Sequence, residues 1–169
     1  VLRNADLVYA DGFELGREVT GIADVPCAFL PTARERQGTA TDPVLLDRDA
    51  MHFLYVGRWE RVKGLDILLE AWTMLLASDL PKRAVLHIVG HGEGLHDDVH
   101  RASSNPVLRD SIDVVGWVSE ARLAGFYGAV DCVVIPSRKE SIPVVFSEAM
   151  QAGKPLIVSD VGDMGELVR

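Results

Sequence analysis

Five short apolar segments form the strongest pattern in this sequence, and each one stops at a glycine, a proline or a serine. They cover residues 53–56, 85–89, 112–115, 132–135 and 156–158. Longer stretches with a helical spacing of apolar residues separate them. Because continuous apolar strands alternate with helices, the pattern predicts a parallel sheet that is covered on both faces. We therefore expect an α/β fold built on a doubly wound, Rossmann-like parallel sheet.

The stretches between these strands predict the helices. One helical face carries Leu65, Leu68, Leu69, Trp72, Leu75 and Leu76. A polar helical segment follows over 95–102. The next helix has Ser119 as its N-cap, and its apolar residues are Leu123, Phe126, Tyr127 and Val130. A further helix is predicted over 144–151, and another begins at 166 and continues to 169.

The first 50 residues follow a different pattern. Residues 6–10 and 27–30 have the composition of short strands, with a helical piece between them. The stretch 31–49 is polar and contains Pro31, Gly38 and Pro43, which predicts a linker.

The bulk composition limits the classes of function. Of the 169 residues, 48% are hydrophobic and 25% are charged, which is typical of soluble globular proteins. The formal net charge of -8 disfavours broad contact with a nucleic-acid backbone, so we expect no nucleic-acid partner. The sequence predicts neither a membrane span nor a signal peptide. We expect Cys27 and Cys132 to be reduced thiols in a cytoplasmic protein, with a disulfide between them as the alternative.

Doubly wound domains bind their ligands at the carboxyl ends of the strands. Those ends are predicted at Gly57, Gly90, Gly116, Pro136 and Ser159. We therefore expect the functional residues in the loops that follow these five positions.

The first of these loops runs from Gly57 to Gly64 and carries three cations. The guanidinium of Arg58 and the ammonium of Lys63 suit a phosphate or a diphosphate. The alternative is a solvated, charged turn. The glycine spacing differs from that of a Walker loop.

The second loop alternates glycine with polar residues, as Gly90-His91-Gly92-Glu93-Gly94. Glycines at this spacing let the backbone approach a ligand closely. The spacing differs from the dinucleotide-binding fingerprint. The nearby His91, His96 and His100 lack a metal-binding pattern, so we interpret them as solvated histidines and expect no metal site.

The third segment spans 136–149 and predicts that a helix begins near Ser141. Pro143 is tolerated there because first-turn amides have no partner within a helix. Free amides near Ser141, Ile142 and Val144, together with the helix dipole, would form an anion site. Glu140 and Glu148 flank this site and would accept hydrogen bonds from sugar hydroxyls, or they are simply a capping acid and an exposed acid.

These segments together resemble the donor-binding domain of retaining glycosyltransferases of family 4, which have the GT-B fold. The resemblance covers residues 51–169. Its motifs are Gly57-Arg58, Lys63-Gly64, Gly90-x-Gly92, Gly116-Trp117-Val118-Ser119, Pro136-Ser137-Arg138-x-Glu140, Glu148-Ala149-Met150 and Gly153-x-Pro155. The two glutamates, separated by seven residues and following the cationic loop, are the most specific part.

The resemblance implies a role for each matching position. Arg58 and Lys63 would hold the donor diphosphate and stabilise it as a leaving group, and Glu140 would bind hydroxyls of the transferred sugar. These three are the predicted catalytic residues. Glu148 would bind the ribose. The remaining predicted contacts to the nucleotide sugar are made by the backbone at Gly57, Gly90, Gly92, Trp117, Val118, Ser141, Ile142 and Val144.

The family resemblance also implies that no cofactor and no protein-bound metal are needed. The donor would be a UDP-, GDP- or ADP-sugar, since the base is read through backbone groups. The acceptor would be a sugar or a lipid-linked molecule, and family members often act at membranes, so peripheral membrane association of the full-length enzyme fits the resemblance. The expected localisation is cytoplasmic, at the membrane periphery where such acceptors are used.

The chain departs from the family pattern at three places. Ser141-Ile142-Pro143 stands where the family usually has Gly-Phe-Gly, and Pro143 has no amide hydrogen to donate. Gly162-Asp163 replaces the usual glycine pair after the last strand. Gly165 replaces the common proline before Glu166. We interpret these as subfamily variation that affects the choice of donor sugar.

The resemblance further predicts the domain organisation. Residues 1–30 would be the end of the N-terminal acceptor domain, 31–50 the interdomain linker, and 51–169 a donor domain truncated at its C-terminus. The chain alone is then expected to bind a nucleotide sugar weakly and to transfer little or nothing. The alternatives are a non-catalytic nucleotide-binding module, a sugar-nucleotide epimerase or a phosphorylase on the same fold, and a nicotinamide-dependent dehydrogenase, which would need a Gly-x-Gly-x-x-Gly loop.

Overall fold

The computed structural model describes residues 2–30, 32 and 42–168 and begins with a small α/β unit. After a short 3-10 turn at Leu2–Asn4, strand β1 (Val8–Ala10) leads into helix α1 (Phe13–Ala23) and strand β2 (Cys27–Phe29). The two strands pair in parallel. This confirms the predicted strand–helix–strand order, with β1 beginning two residues later than its sequence pattern.

The main sheet has five parallel strands. They are β3 (Ala50–Val56), β4 (Arg83–Val89), β5 (Ile112–Gly116), β6 (Cys132–Ile135) and β7 (Leu156–Val158). Their order in the sheet is β5-β4-β3-β6-β7. The chain therefore moves outward in one direction from β3 to β5 and then returns to the other side of β3 for β6 and β7. The strand order reverses between β3 and β6, and doubly wound domains bind ligands at such a switch point.

Helices cover both faces of this sheet. They are α2 (Leu65–Leu76), α3 (His96–Ser104), α4 (Glu120–Ala129), α5 (Val144–Gln151) and α6 (Met164–Leu167), with a 3-10 turn at Arg61–Lys63. Consecutive residues of β3 point to opposite faces: Tyr55 packs with α2 and α3, and Leu54 packs with α4 and α5. Both are almost fully buried. The predicted doubly wound fold is confirmed.

Local rules place most helix boundaries correctly. Ser119 caps α4 as predicted, since its hydroxyl accepts a hydrogen bond from the Arg122 amide at 3.3 Å. The helix predicted over 144–151 is confirmed as α5 (Val144–Gln151), whereas the expectation that a helix begins near Ser141 is wrong. Pro143 is the N-cap, with φ −70° and ψ 149°, and the helix begins at Val144. α6 begins at Met164, two residues before its predicted start, and its predicted end at 169 lies outside the described residues.

The predicted linker lies only partly within the described residues, because Pro31 and 33–41 are outside them. Its last part packs on α4, where Arg122 Nη1 donates to Asp42 Oδ1 at 2.9 Å. A Cβ added at Gly125 would lie 2.3 Å from the carbonyl oxygen of Asp42. The glycine therefore allows this segment to run close to the helix, and Ala50 already belongs to β3.

Side-chain contacts through two buried histidines connect strands β3, β4 and β5 of the main sheet. His52 Nδ1 lies 2.9 Å from His87 Nε2, and His87 Nδ1 lies 2.8 Å from Asp113 Oδ2. At the other end, His52 Nε2 lies 2.7 Å from the carbonyl oxygen of Asp47.

Both cysteines are free thiols. Cys132 is buried in β6, and burial raises the pKa of its thiol. No helix in the described part of the chain is long and apolar enough to cross a membrane.

Candidate functional site

An ion pair joins the loops that follow β3 and β6, on either side of the switch point. Lys63 Nζ donates to Glu140 Oε1, and the two side chains retain 26% and 13% of their exposure. The hydroxyl of Ser137, which is buried, donates to the same carboxylate oxygen at 3.1 Å. Glu140 is thus held both by its own loop and by a cation of the neighbouring loop. The structure brings together two of the three predicted catalytic side chains.

Hydrogen bonds from Arg138 also connect the loop after β6 to the loop after β3 and the start of α2. Arg138 Nη1 and Nη2 donate to the two carboxylate oxygens of Asp66 at 2.7 and 3.0 Å. The Arg138 amide also donates to the carbonyl oxygen of Val62 at 2.9 Å. The hydrogen bonds from Arg138 hold the pKa of Asp66 below its ordinary value, and the same contact raises the pKa of Arg138. This forked pairing is the geometry that a guanidinium and a carboxylate prefer.

The close approach of the loops depends on a glycine. Gly64 has φ 71° and is both the C-cap of the 3-10 turn and the N-cap of α2. A Cβ added at this position would lie 1.8 Å from the carbonyl oxygen of Pro136. A side chain here would force the two loops apart, and with them the residues Lys63 and Glu140.

Arg58 takes a different position from the other predicted catalytic residues. Its guanidinium is 67% exposed and donates to Glu60 Oε1 at 2.8 Å. Its backbone is fixed by the Tyr55 hydroxyl, which donates to the Arg58 carbonyl oxygen at 2.8 Å. Burial, followed by nearby carboxylates, raises the pKa of Tyr55, so this donor keeps its proton. Arg58 therefore lies in the predicted loop, but it contacts Glu60 rather than the Lys63–Glu140 pair.

The glycine loop after β4 packs against the loop after β3. Gly90 has φ 122°, and an added Cβ there would lie 2.0 Å from the carbonyl oxygen of Gly57. At Gly92 it would lie 2.9 Å from the amide nitrogen of Trp59, and that amide donates to the carbonyl oxygen of His91 at 3.2 Å. The close backbone contact that these glycines permit is therefore made, in this structure, with another loop of the protein.

The histidines near this loop are not arranged as a metal site. The rings of His96 and His100 lie 6.2 and 6.3 Å from the buried indole of Trp59, measured between centroids. Within residues 2–30, 32 and 42–168, no cluster of three or more His, Cys, Asp or Glu side chains could hold a metal ion.

The loop after β5 extends the same edge of the sheet. The amide of Gly90 donates to the carbonyl oxygen of Gly116 at 2.8 Å, and Gly116 has φ 77°. Beyond it, Trp117 is 73% exposed, whereas Val118 packs against the apolar cluster beneath α4 and α5. The predicted base-contacting pair thus lies beside the glycine loop, with one exposed and one packed side chain.

The start of α5 offers backbone donors next to Glu140. In the described part of the chain, the amides of Ser141, Ile142 and Val144 donate to no protein acceptor. The Ile142 side chain is buried in the core, so this residue presents only its backbone. Because α5 begins at Val144, the amides of Ser141 and Ile142 precede the helix, and that of Val144 is the first free helical amide.

Glu148 lies on α5 and is held from α4. The hydroxyl of Tyr127 donates to Glu148 Oε2 at 2.9 Å. Tyr127 is buried, and Glu148 is partly exposed. The carboxylate is therefore positioned by a rigid neighbouring helix and still reaches the surface.

Sequence reasoning missed the residues that position the predicted ones. These are Tyr127, Ser137, Asp66 with Arg138, and Gly162, where an added Cβ would lie 2.1 Å from the Glu140 carbonyl oxygen. Ser137 and Arg138 fall inside the Pro136-Ser137-Arg138-x-Glu140 motif, but nothing in its spacing indicates which residues they contact. The hydroxyl of Tyr127 on an otherwise apolar helical face was the only signal available for that contact.

The fold and the site define a doubly wound α/β domain with cations, carboxylates and free amides at its switch point, which suits a small ligand that carries both phosphate and hydroxyl groups. Comparison with known proteins gives the family. Residues 50–169 match the family described as glycosyl transferases group 1. The chain belongs to this family.

Curated relatives agree with this assignment. The chain is 35% identical over 135 residues to D-inositol 3-phosphate glycosyltransferase 2 of Catenulispora acidiphila, covering 76% of this chain and 32% of the relative. It is 35% identical over 143 residues to D-inositol 3-phosphate glycosyltransferase of Geodermatophilus obscurus, covering 81% and 30%. The chain spans about a third of the length of these relatives.

Solved structures share the whole architecture. Sucrose-phosphate synthase of Thermosynechococcus elongatus superposes with a TM-score of 0.79 at 26% identity, covering 99% of this chain and 44% of the other. The Anabaena protein HepE, solved in complex with UDP, gives a TM-score of 0.73 at 21% identity, covering 98% and 48%. Both the small N-terminal unit and the main sheet therefore have counterparts in glycosyltransferases of the GT-B type.

Proposed function

We propose that this chain carries the donor site of a retaining glycosyltransferase of family 4 and binds a nucleoside diphosphate sugar between the loops after β3 and β6. Its curated relatives are named as glycosyltransferases, and HepE, which shares the fold, was solved with UDP and with UDP-glucose. UDP is therefore the first nucleotide to test, ahead of GDP and ADP. Transfer would proceed with retention, as the family resemblance implies.

The observation that carries this proposal is the Lys63–Glu140 ion pair at the switch point. A buried or half-buried cation and carboxylate in contact satisfy one another. A donor molecule brings a diphosphate for the cation and sugar hydroxyls for the carboxylate. Binding would then be an exchange of partners, in which Lys63 turns to the diphosphate and Glu140 accepts hydrogen bonds from the sugar.

The same arrangement suits the chemistry of transfer. Breaking the bond between the sugar and the phosphate leaves negative charge on the departing diphosphate. A fixed ammonium at Lys63, the guanidinium of Arg58 and the free amides at the start of α5 would stabilise that charge, an effect that typically contributes a few kcal/mol per donor. These groups supply the positive charge without a protein-bound metal.

Glu148 would bind the ribose in this arrangement. It lies on the same helix that presents the free amides, and Tyr127 fixes its carboxylate at 2.9 Å. Carboxylates accept hydrogen bonds from vicinal hydroxyls readily. The acceptor, which we propose to be a sugar or a lipid-linked molecule, would enter from the side of the small N-terminal unit.

Isothermal calorimetry tests the proposal directly. The chain is titrated with UDP, GDP and ADP, and the best ligand is repeated with Lys63→Ala and Glu148→Ala. We expect selective binding of one nucleotide, weakened about tenfold or more in each variant, since each removes a charge-assisted contact.

Lys139→Ala is the matched control, because Lys139 is an exposed cation beside Glu140. Its removal changes the net charge as Lys63→Ala does, but leaves the ion pair in place. If Lys139→Ala and Lys63→Ala weaken nucleotide binding equally, the weakening comes from the loss of net positive charge and not from the loss of the Lys63 contact. Absence of binding to all three nucleotides by a folded sample would contradict the proposal.

A further inference from the structure

The start of helix α1 is capped by a residue of the main domain. Its own N-cap, Gly12, has no side chain to offer the first-turn amides. The amide of Glu14 donates instead to Asp163 Oδ1 at 3.0 Å, across 149 positions of the chain. A carboxylate accepting from a first-turn amide satisfies an otherwise unpaired donor and interacts favourably with the helix dipole.

Asp163 is also unusual as a buried acidic residue. It is only 2% exposed. Among the described residues its Oδ2 has no hydrogen-bond partner. A carboxylate buried with one oxygen unsatisfied is destabilising on its own. The hydrogen bond from the Glu14 amide of α1 to its Oδ1 therefore offers a reason for its position.

The surroundings of Asp163 connect it to the donor loop. A Cβ added at Gly12 would lie 2.4 Å from Asp163 Oδ2 and 3.1 Å from the Cβ of Ser141. On the other side, Gly162 has φ 55°, and an added Cβ there would lie 2.1 Å from the carbonyl oxygen of Glu140. Asp163 thus lies where α1 meets the backbone of Glu140–Ser141.

We propose that Asp163 is a positioning residue, which couples the small N-terminal unit to the loop that carries Glu140. Docking of α1 onto the Asp163 carboxylate sets the position of residues 162–163, and these support the backbone of Glu140 and Ser141 from below. The inference rests on the proposed donor site. It adds that the N-terminal unit controls how the transferred sugar is held, whereas the diphosphate, held at Lys63, is independent of it.

The sequence offers a specific reason for this assignment. Gly12, the N-cap of α1, has no side-chain oxygen that could accept from the first-turn amides. Asp163 supplies that acceptor from the main domain, so the missing local cap and the buried carboxylate compensate one another at one contact.

The test compares Asp163→Ala, Asp163→Asn and the double variant Asp163→Ala with Gly12→Ser. Asparagine keeps an acceptor oxygen for the Glu14 amide. In the double variant the Oδ2 that would clash with a side chain at position 12 is gone. The added Cβ meets the Cβ of Ser141 at 3.1 Å, a tight contact that a shift of a few tenths of an ångström relieves, so the serine hydroxyl can cap α1 locally. The double variant therefore restores the cap without restoring the hydrogen bond between α1 and Asp163.

Two quantities are measured for each variant. Amide hydrogen exchange of Glu14, followed by NMR, reports the cap. The ratio of the affinities for UDP-glucose and UDP reports the hold on the sugar. For Asp163→Ala we expect roughly fivefold less protection at Glu14, the size of a typical N-cap, and a similar fall in the affinity ratio with little change in UDP binding.

The variants separate coupling from simple helix stability. We expect Asp163→Asn to retain most of both quantities, and the double variant to regain protection at Glu14 while its affinity ratio stays low. Recovery of both in the double variant would overturn the coupling, as would unchanged exchange at Glu14 in Asp163→Ala. Failure of the wild-type chain to bind UDP would overturn the proposed function and the coupling with it, while the exchange data would still report the cap.

Discussion

Lys63 and Glu140 form an ion pair across the point where the strand order of the main sheet reverses. The two residues are 77 positions apart, and each lies in the loop after one of the two central strands. In the unliganded chain each is the partner of the other. Any phosphate that binds to Lys63 therefore competes with the carboxylate of Glu140.

This competition predicts the effect of Glu140→Gln on nucleotide binding. Removing the carboxylate charge frees Lys63 and removes repulsion of the diphosphate. We expect UDP to bind roughly fivefold more tightly, which corresponds to about 1 kcal/mol, the upper range for a partly exposed pair. UDP-glucose should gain less, because its sugar loses a strong acceptor. Calorimetry with both ligands measures the difference.

The control for this variant is Glu93→Gln, which removes the same charge from an exposed position of the glycine loop. It should leave both affinities within about twofold. Weaker UDP binding by Glu140→Gln would mean that the Glu140 carboxylate positions Lys63 for the diphosphate and does not compete with it.

Tyr127→Phe removes only the hydroxyl that holds Glu148. We expect UDP to bind about fivefold less tightly, because one hydrogen bond to a charged group is lost. If Glu148 binds the ribose, the variant should have a smaller effect on 2′-deoxy-UDP than on UDP. Tyr9→Phe, at a tyrosine that is 59% exposed, serves as the control. An equal loss with both nucleotides would place Glu148 away from the 2′-hydroxyl.

Two glycine-to-alanine substitutions should change stability in opposite directions. Gly64→Ala places a methyl group against the Pro136 carbonyl oxygen at a left-handed φ, and we expect a loss of roughly 2 kcal/mol or more in the free energy of unfolding. Gly128→Ala, within α4 and with nothing within 4 Å of the added Cβ, should gain up to about 1 kcal/mol. Urea unfolding measures both. A neutral Gly64→Ala would contradict the close approach of the two loops.

Acid should weaken the ion pair between Arg138 and Asp66. The pKa of Asp66 is held below its ordinary value of 3.8, so the folded state favours the carboxylate. Its contribution to stability is present above the unfolded pKa and is lost as the pH falls through the lower, folded value. Between about pH 5 and pH 2, wild type should therefore lose more stability than Asp66→Asn. Asp97→Asn, at a side chain that is 94% exposed, should follow the wild-type curve.

The order of the elements could be predicted because it depends on local rules. Each apolar strand ends at a residue that breaks strand structure, and Ser119 caps α4 through a contact three residues away. The apolar pattern placed α5 correctly at 144–151. The start near Ser141 that was expected for the anion site is wrong, because Pro143 is compatible with both the first helical turn and the N-cap. Its extended conformation, with ψ 149°, moves the helix start to Val144.

The contacts that position the site could not be predicted in the same way. Arg138 and Asp66 are 72 positions apart, and Asp163 and Glu14 are 149 apart. Such pairs are set by the packing of whole elements, and no local spacing reports them. The strand pattern placed Lys63 and Glu140 in loops at one edge of the sheet, but it did not predict that the two side chains form an ion pair.

An NMR titration of the ¹⁵N-labelled chain with UDP locates the donor site on the protein. We expect the largest amide shifts at 57–64 and 141–148, on either side of the switch point, with smaller ones near Gly90 and Trp117. At a UDP concentration near the wild-type Kd, Lys63→Ala should reduce these shifts several-fold, whereas Lys139→Ala should preserve them. Shifts concentrated elsewhere, or unchanged in Lys63→Ala, would contradict a donor site between β3 and β6.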